Sequence, residues 1–439
     1  MCVVFDVAVE SEWTAVHSLF GHAFFPPANL LQRLRLQPFI LAAVCRAWRA
    51  TALQYAQLWT RVVLDPLDIV TTLDSALWTS YFEMLEVRSL QLPVELVVHL
   101  VNQSVVFNSV GPAVFRMAAR ARSVILTAAR TNSWSPKLIN RITQYGGRHL
   151  ESFILHTFGR YTVAVQHLPF FPEVCRLRRL EMDGFTLSWE SLDLVSVQIA
   201  TIKRNWTQET SLQDWRGLFV ALPNCTDLTL EIGSCQILQA ASADMEPITA
   251  HNVRSLVVSP SENGNEAPYL RFPSLQRVQL RWLGFKALAA FIQHSLGPST
   301  AHNFTFLSIL VSFCNAGVAI ALASAPTVTE LEPIACGVED DFFQTMTHDR
   351  RILPRLQKFT WRQPGAVGEP APPFVEIEGV TRVELEICLL EFVKQRVKET
   401  PEGWRLQSVN LSGWPKAWLL TTEGDLLQAI DKLLLGSSH

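Results

Sequence analysis

The side chains best suited to chemistry are scattered along this sequence. Glu339, Asp340 and Asp341 form the densest acidic run. Neighbouring carboxylates are what general acid–base catalysis uses, but three in a row read here as a solvated loop rather than a dyad. His17 and His22 are poorly spaced for a metal, and there is no His-Glu-x-x-His or His-x-His. The eight cysteines, at 2, 45, 175, 225, 235, 314, 336 and 388, include no Cys-x-x-Cys pair. They read as free, mostly buried thiols of a reducing compartment, Cys45 being a small buried apolar residue rather than a reactive one. No glycine-rich phosphate loop and no Gly-x-Ser-x-Gly elbow occurs. The expectation is a protein that is not an enzyme, with no catalytic residue, no cofactor and no metal.

Charge excludes further classes. Lys and Arg number 37 against 40 Asp and Glu, a net charge of -3, which is no nucleic-acid footprint. The basic clusters RLRRL (176–180) and HDRR (348–351) lack interleaved aromatics, and RLRRL should turn its leucines inward and its arginines outward. The amino-terminal MCVVFDVAVESEW has no basic region and is interrupted by Asp6 and Glu10, so it does not read as a signal peptide. Residues 303–329 carry no charge, yet they divide into a strand-like TFLSILV and a small-residue helix GVAIALASA closed by Pro326. That pattern reads as buried strand plus helix rather than a membrane span. A cytoplasmic or nuclear location follows.

The elements that position these residues repeat. LPNCTDLTL (222–230), FPSLQRVQL (272–280), APTVTELEP (325–333) and LPRLQKFTW (353–361) share a Pro followed by apolar-x-x-apolar-x-apolar. Without the Pro, the register has starts at Leu150, Leu177, Leu194, Cys225, Val253, Leu275, Phe304, Val328, Leu356, Val380 and Leu406, a mean step of about 26 residues. The last two apolar positions alternate, so both face one side of a short strand. The Pro is expected to end the preceding helix and set an extended approach to the strand. LQDWRGLFVAL, FKALAAFIQHSL and GVAIALASA supply helices between strands. The usual Asn or Cys three residues past the third apolar position is matched only by Cys336 and Cys388, which predicts repeats of unequal length. GAVGEPAPP (365–373) reads as a polar excursion, and EGDLLQAIDKLLLGSSH as an amphipathic capping helix. The fold class is α/β: a small all-α unit, then an irregular leucine-rich-repeat solenoid with strands on its concave side and helices on its convex side.

The small unit is the segment AAVCRAWRATALQYAQLWTRVVL (42–64) with TAVHSLFGHAF upstream. Leu41, Val44, Cys45 and Trp48 follow i, i+3, i+4, i+7, one face of a helix, and Leu53 continues it. Leu58 and Trp59 fall in a turn before a strand-like RVVL. VCRAWRATALQYAQLWTRVVL resembles the second half of an F-box, V-C-[RK]-x-W-R-x-x-A…L-W-x-x-[IV]. SALWTSYFEMLEVRSLQLPVELVV after it is similar to the segment following the F-box in the large family of mushroom-forming (basidiomycete) fungi. The resemblance implies domains at 10–65 (F-box-like), 66–148 (linker helix and first repeats), 149–420 (leucine-rich repeats) and 421–439 (cap). It also implies a receptor subunit of a Skp–cullin–F-box ubiquitin ligase, with a target protein bound by the repeats and no nucleic acid or membrane as partner. By motif position the adaptor-binding residues would be Leu41, Val44, Cys45, Trp48, Leu53, Leu58 and Trp59, with Trp48 and Trp59 as anchors. The Leu-Pro that opens an F-box is absent. The alternative is therefore a repeat scaffold with a vestigial F-box and no ligase role.

Overall fold

The computed structural model describes residues 37–64, 72–100, 105–129, 141–142, 145, 149–158, 176–183, 189, 194–203, 212–231, 248–259, 270–281, 291–292, 303–310, 313–334, 336–338, 340–362, 382–398, 401, 405–411 and 423–435. TAVHSLFGHAF, GAVGEPAPP, His17, His22, Glu339 and Val380 lie outside them. The chain packs as two compact units, Met1–Asn205 and Trp206–His439.

In the first unit, β1 (Arg61–Leu64), β2 (Val94–Leu100), β3 (Ala121–Ala129), β4 (Ser152–Phe158), β5 (Arg179–Asp183) and β6 (Ile199–Lys203) lie side by side in chain order, all parallel. Helix α1 (Arg46–Gln54) precedes them, and α2 (Thr72–Arg88) and α3 (Val105–Ala118) connect β1 to β2 and β2 to β3. Val62, Leu96, Val124, Phe153, Leu180 and Ala200 form one lateral row. Leu64, Val98, Leu126, Leu155, Met182 and Ile202 stand two residues further along each strand, on the same face, and both rows are buried. Each such aliphatic side chain contributes about 1.5–3 kcal/mol on leaving water. The alternate residues Val63, Val97, Ile125, Ile154 and Glu181 are buried too, so β1 to β5 are covered on both faces.

In the second unit, α4 (Leu212–Ala221) precedes β7 (Asp227–Glu231). The ladder runs through β9 (Ser255–Ser259), β11 (Arg277–Arg281), β12 (Phe306–Leu310), β14 (Glu330–Ile334), β16 (Lys358–Thr360) and β17 (Ser408–Asn410), again parallel and in chain order. Short parallel pairs β8 (Ile248–Thr249) with β10 (Leu270–Arg271), and β13 (Phe313–Cys314) with β15 (Gly337–Val338), flank it. Helices α5 (Ala316–Leu322), α6 (Asp340–His348) and α7 (Arg382–Lys398) pack in sequence, and α8 (Glu423–Leu435) packs on α7 through buried Leu426 and Ile430. The uncharged segment 303–329 is strand β12 and helix α5, as its pattern predicts. No described helix is long and apolar enough to cross a membrane.

The prolines set turns rather than end helices: Pro273 follows strand β10, and Pro354 comes after α6 has already ended at His348. Leu222, Phe272, Ala325 and Leu353 each accept a hydrogen bond from the amide three residues on, at Cys225, Leu275, Val328 and Leu356 (3.1–3.3 Å). Each Pro is thus the second residue of a turn, where its fixed φ is pre-set, and the turn's last residue is the first apolar position of the repeat. Val197 N–H donates to Leu194 in the same way, at 3.0 Å, and Leu180 pairs with Ala200. The repeat start there is Val197, not Leu194. Leu194 is buried because it opens the turn, which is why it mimicked a start. The ladder also begins earlier than Leu150, since Trp59, Pro93 and Ala121 stand three residues before the row residues Val62, Leu96 and Val124.

Val380 was expected to start a strand with Val383, Leu385 and the turn residue Cys388, but residues 382–398 are helix α7. Cys388, Leu389, Phe392, Val393, Arg396 and Val397 are its buried face, a helical spacing that outweighs one apolar triple. The step from Phe359 to Val409 is therefore 50 residues, against 20 from Leu180 to Ala200. Asp341 belongs to α6 rather than a loop, and its Oδ1 accepts from the Ala316 N–H at 3.0 Å, at the start of α5.

Candidate functional site

The segment 37–64 is two helical pieces, not one continuous stripe. Residues 37–43 are helical, Val44 bends, and Cys45 is extended with φ -159° and ψ 173°. The Cys45 Sγ accepts from the Trp48 N–H at 3.4 Å, capping α1. Arg49 reaches back to donate to the Ala42 carbonyl at 3.0 Å, a group the break leaves open. Cys45 is exposed, which corrects its reading as a buried residue.

The seven predicted residues separate accordingly. Trp59 is 1% exposed, donates its indole N–H to the Ala52 carbonyl at 2.7 Å and meets Phe39 edge-on at 5.6 Å. It fills the first apolar position of the first repeat, the place Leu150 takes beside β4. Leu58 is buried with it. Leu41, Trp48 and Leu53 are half-buried, and Val44 is 59% exposed. Ile40, which the sequence reading did not single out, is 56% exposed. The segment therefore spends Leu58 and Trp59 on its own repeat and leaves Ile40, Val44 and part of Trp48 at the surface.

The first unit's strand face carries polar groups but is closed. Glu95 lies between Arg61 (3.2 Å) and Arg122 (2.6 Å). His99, Thr127 and His156 form one buried row. His156 stands 3.7 Å from Glu181 and 3.9 Å from Asp183, while Glu181 also pairs with Arg179 at 3.1 Å. At 7% exposure, His156 is part of a buried polar row. Leu177 and Leu180 point inward in RLRRL and its arginines are at least half-exposed, as the pattern implied.

The second unit's strand face is different. Leu228, Leu256, Val278, Leu307, Leu331 and Phe359 are buried, while on the opposite face Thr229, Val257, Gln279 and Glu332 are half-exposed. Strand spacing is about 4.8 Å and same-face residues along a strand are about 6.7 Å apart, so these side chains form a regular grid. One row runs Gln279, Ser308, Glu332, Thr360, Asn410; the repeat register alone would turn Gln279, Thr360 and Asn410 to solvent. Gln279 is half-buried and Asn410 exposed; Thr360 is buried. On this face Lys358 pairs with Glu330 at 3.4 Å and Arg362 with Glu332 at 2.8 Å. Arg277 stacks 4.6 Å from the centre of the Phe306 ring, and Arg281 donates to the Gln279 side-chain carbonyl at 3.2 Å.

Cys314 and Cys336 are buried parts of the fold. Cys336 Sγ contacts the Ile309 and Ile334 carbonyls at 3.2 and 3.4 Å, filling the turn position predicted for it. The hydrogen bond with Cys336, then burial, pushes the Cys314 thiol well up, so it stays protonated. Among the described residues, no group of three or more His, Cys, Asp and Glu is placed to hold a metal ion.

No family model and no curated protein matches the chain. One similar solved structure is the leucine-rich repeat-containing protein LegL7 from Legionella pneumophila, 12% identical, with a TM-score of 0.34, covering 76% of this chain and 96% of that chain. The strand register described above defines the repeat architecture by itself.

Proposed function

We propose that this chain is a non-enzymatic protein-binding repeat protein that engages a target protein with the open strand face of its second unit. The observation that carries this is the grid of half-exposed polar and charged side chains on β7 to β17. Parallel strands fix their spacing, and such a rigid array recognises a surface without doing chemistry on it.

The finer reading is that segment 41–64 docks the chain on a Skp-type adaptor of a cullin–RING ubiquitin ligase. The chain then acts by proximity, holding a bound target near the conjugating machinery. Exposed Ile40 and Val44 with the half-buried Trp48 support this as the apolar contact. The burial of Leu58 and Trp59 in the first repeat favours the other reading, a scaffold whose F-box-like segment is vestigial. A pull-down of the full chain with a purified Skp-type adaptor decides between them. The docking reading expects binding that Val44→Asp weakens at least tenfold at unchanged melting temperature. A well-folded wild-type chain that does not bind leaves the scaffold.

A further inference from the structure

We infer that the strip Arg277–Gln279–Arg281 on β11 receives an extended acidic segment of the partner protein, one that presents two carboxylates four residues apart. This rests on the second unit's strand face being a protein-binding surface, and it names the chemistry of what binds there.

The three residues occupy alternate positions of one strand and so share a face. The two arginine Cα atoms are about 13 Å apart, four residues of strand rise. Among the described residues, the other cations on this face are neutralised, Lys358 by Glu330 and Arg362 by Glu332. The exposed carboxylate of Asp227, on β7, accepts from the Thr226 hydroxyl at 2.7 Å. Neither Arg277 nor Arg281 has an ion-pair partner among the described residues, and the Arg281 Nε lacks a hydrogen bond. In the first unit, by contrast, Arg61, Arg122 and Arg179 all have carboxylate partners.

The surroundings pre-organise these groups. Its place over the Phe306 ring holds the Arg277 guanidinium and leaves N–H groups for a carboxylate, which they match two-by-two. The bond from Arg281 to the Gln279 carbonyl oxygen holds the second guanidinium and leaves the Gln279 amide N–H groups as donors between the two. Ser308, which pairs with Gln279 across the ladder, has a buried hydroxyl with no partner. Ser255 and Val257 on the neighbouring β9 are small and half-exposed, which leaves room for a main chain along the strip.

Spacing selects the ligand. Anchors about 13 Å apart along a stiff strand match two separate anions better than a single phosphate dianion. Two monoanions along an extended chain, at i and i+4 with a polar residue at i+2, have the same rise as β11 and meet both arginines. The complementary charge also speeds encounter and makes binding salt-sensitive.

The test is fluorescence anisotropy of labelled peptides titrated with the full chain. One peptide carries Glu at i and i+4, a second has Gln at both places, and a third carries a single phosphoserine. The Glu peptide should bind at least tenfold tighter than the Gln peptide. Arg277→Glu and Arg281→Glu should each weaken it at least tenfold, and Arg216→Glu, an equal charge change at an exposed position on α4, should leave it unchanged. Equal affinity for Glu and Gln peptides, no binding of the Glu peptide, tighter binding of the phosphoserine peptide, or an equal loss in Arg216→Glu would each overturn the inference. Gln279→Trp fills the strip without changing charge and separates two failures. Charge-blind binding lost in Gln279→Trp removes the acidic preference and keeps the binding face; charge-blind binding that ignores Gln279→Trp removes both. The adaptor pull-down does not involve β11 and fails or succeeds independently.

Discussion

The buried guanidinium of Arg396 on α7 holds the backbone carbonyl of Leu353, a residue in the left-handed region with φ 46°. The same group takes the carbonyls of Met346, in the last turn of α6, and Ile352, at 3.1 and 2.6 Å. One side chain thus caps a helix end and fixes the turn that opens the next repeat. The first unit uses the same device. Leu90, just past α2, has φ 53°, and Arg120 grips its carbonyl and the Ser89 hydroxyl. These are the two non-glycine residues with positive φ among those described. Burial draws the Arg396 pKa down to about 10, with Asp349 pulling it back up, so the group stays charged at neutral pH.

Arg396→Met keeps the buried bulk and deletes the three bonds to carbonyls. Hydrogen bonds to a charged group contribute about 1.5–3 kcal/mol each and are not additive, so a loss of roughly 3 kcal/mol or more is expected. Urea unfolding of the two proteins side by side measures it; a loss below about 1 kcal/mol would show the clamp to be dispensable.

The two left-handed leucines should respond oppositely to glycine. Leu90 is 62% exposed, so Leu90→Gly relieves backbone strain at little packing cost and should stabilise by about 0.5–1 kcal/mol. Leu353 is fully buried, so Leu353→Gly loses a core side chain, about 2–5 kcal/mol, which outweighs the same relief. Melting temperatures of both variants check the sign.

Trp59→Ala should destabilise by about 3–5 kcal/mol, as large-to-small changes in cores do. Trp59→Phe keeps most of the packing and drops the bond to Ala52, for about 1 kcal/mol of direct loss. Trp48→Ala, at a half-buried position, should cost less than Trp59→Ala. Denaturant midpoints rank the three, and a Trp59→Ala protein as stable as wild type would contradict its place in the repeat core.

Asp349 accepts two side-chain bonds and one backbone bond from Arg351 (2.9, 2.8 and 3.0 Å), which draw its carboxyl down to about 2. Because the folded value lies below the unfolded one near 4, the stabilisation is present above about pH 4 and is lost as pH falls towards 2. The pair is at the surface, so the effect is small and shrinks with salt. The melting-temperature gap between wild type and Asp349→Asn should narrow below pH 4 and close near pH 2.

The strand ladder was readable because its signal is local. Leu228 with Leu230, Val278 with Leu280, and Phe359 with Trp361 show their shared face within six residues, and Pro223, Pro273, Pro326 and Pro354 mark where each turn sits. Val380 misled for the same reason, because six residues cannot distinguish a strand triple from the start of a seventeen-residue helix such as α7. In segment 41–64 the apolar pattern was legible but its destination was not. Trp48 and Trp59 look alike in sequence, and only the pairing of β1 with β2 sends Trp59 into the repeat core. The Arg277–Arg281 strip left no local trace, since what distinguishes it is that the Glu330 and Glu332 carboxylates on β14 are taken by Lys358 and Arg362 rather than by these arginines, a pairing set by residues far away in sequence.

The covering of β1 to β5 on both faces has a consequence for how this molecule can diverge. A strand with one face in solvent keeps every second position open to substitution. Val63, Val97, Ile125 and Ile154 have no such freedom, because a polar or larger residue there would disturb packing on a side that is normally tolerant. Sequence drift among descendants of this chain should therefore be slow at alternate strand positions in the first unit and fast at Thr229, Val257, Gln279 and Asn410 in the second. Substitutions would accumulate on the second unit's strands while the first unit's strands stay nearly fixed.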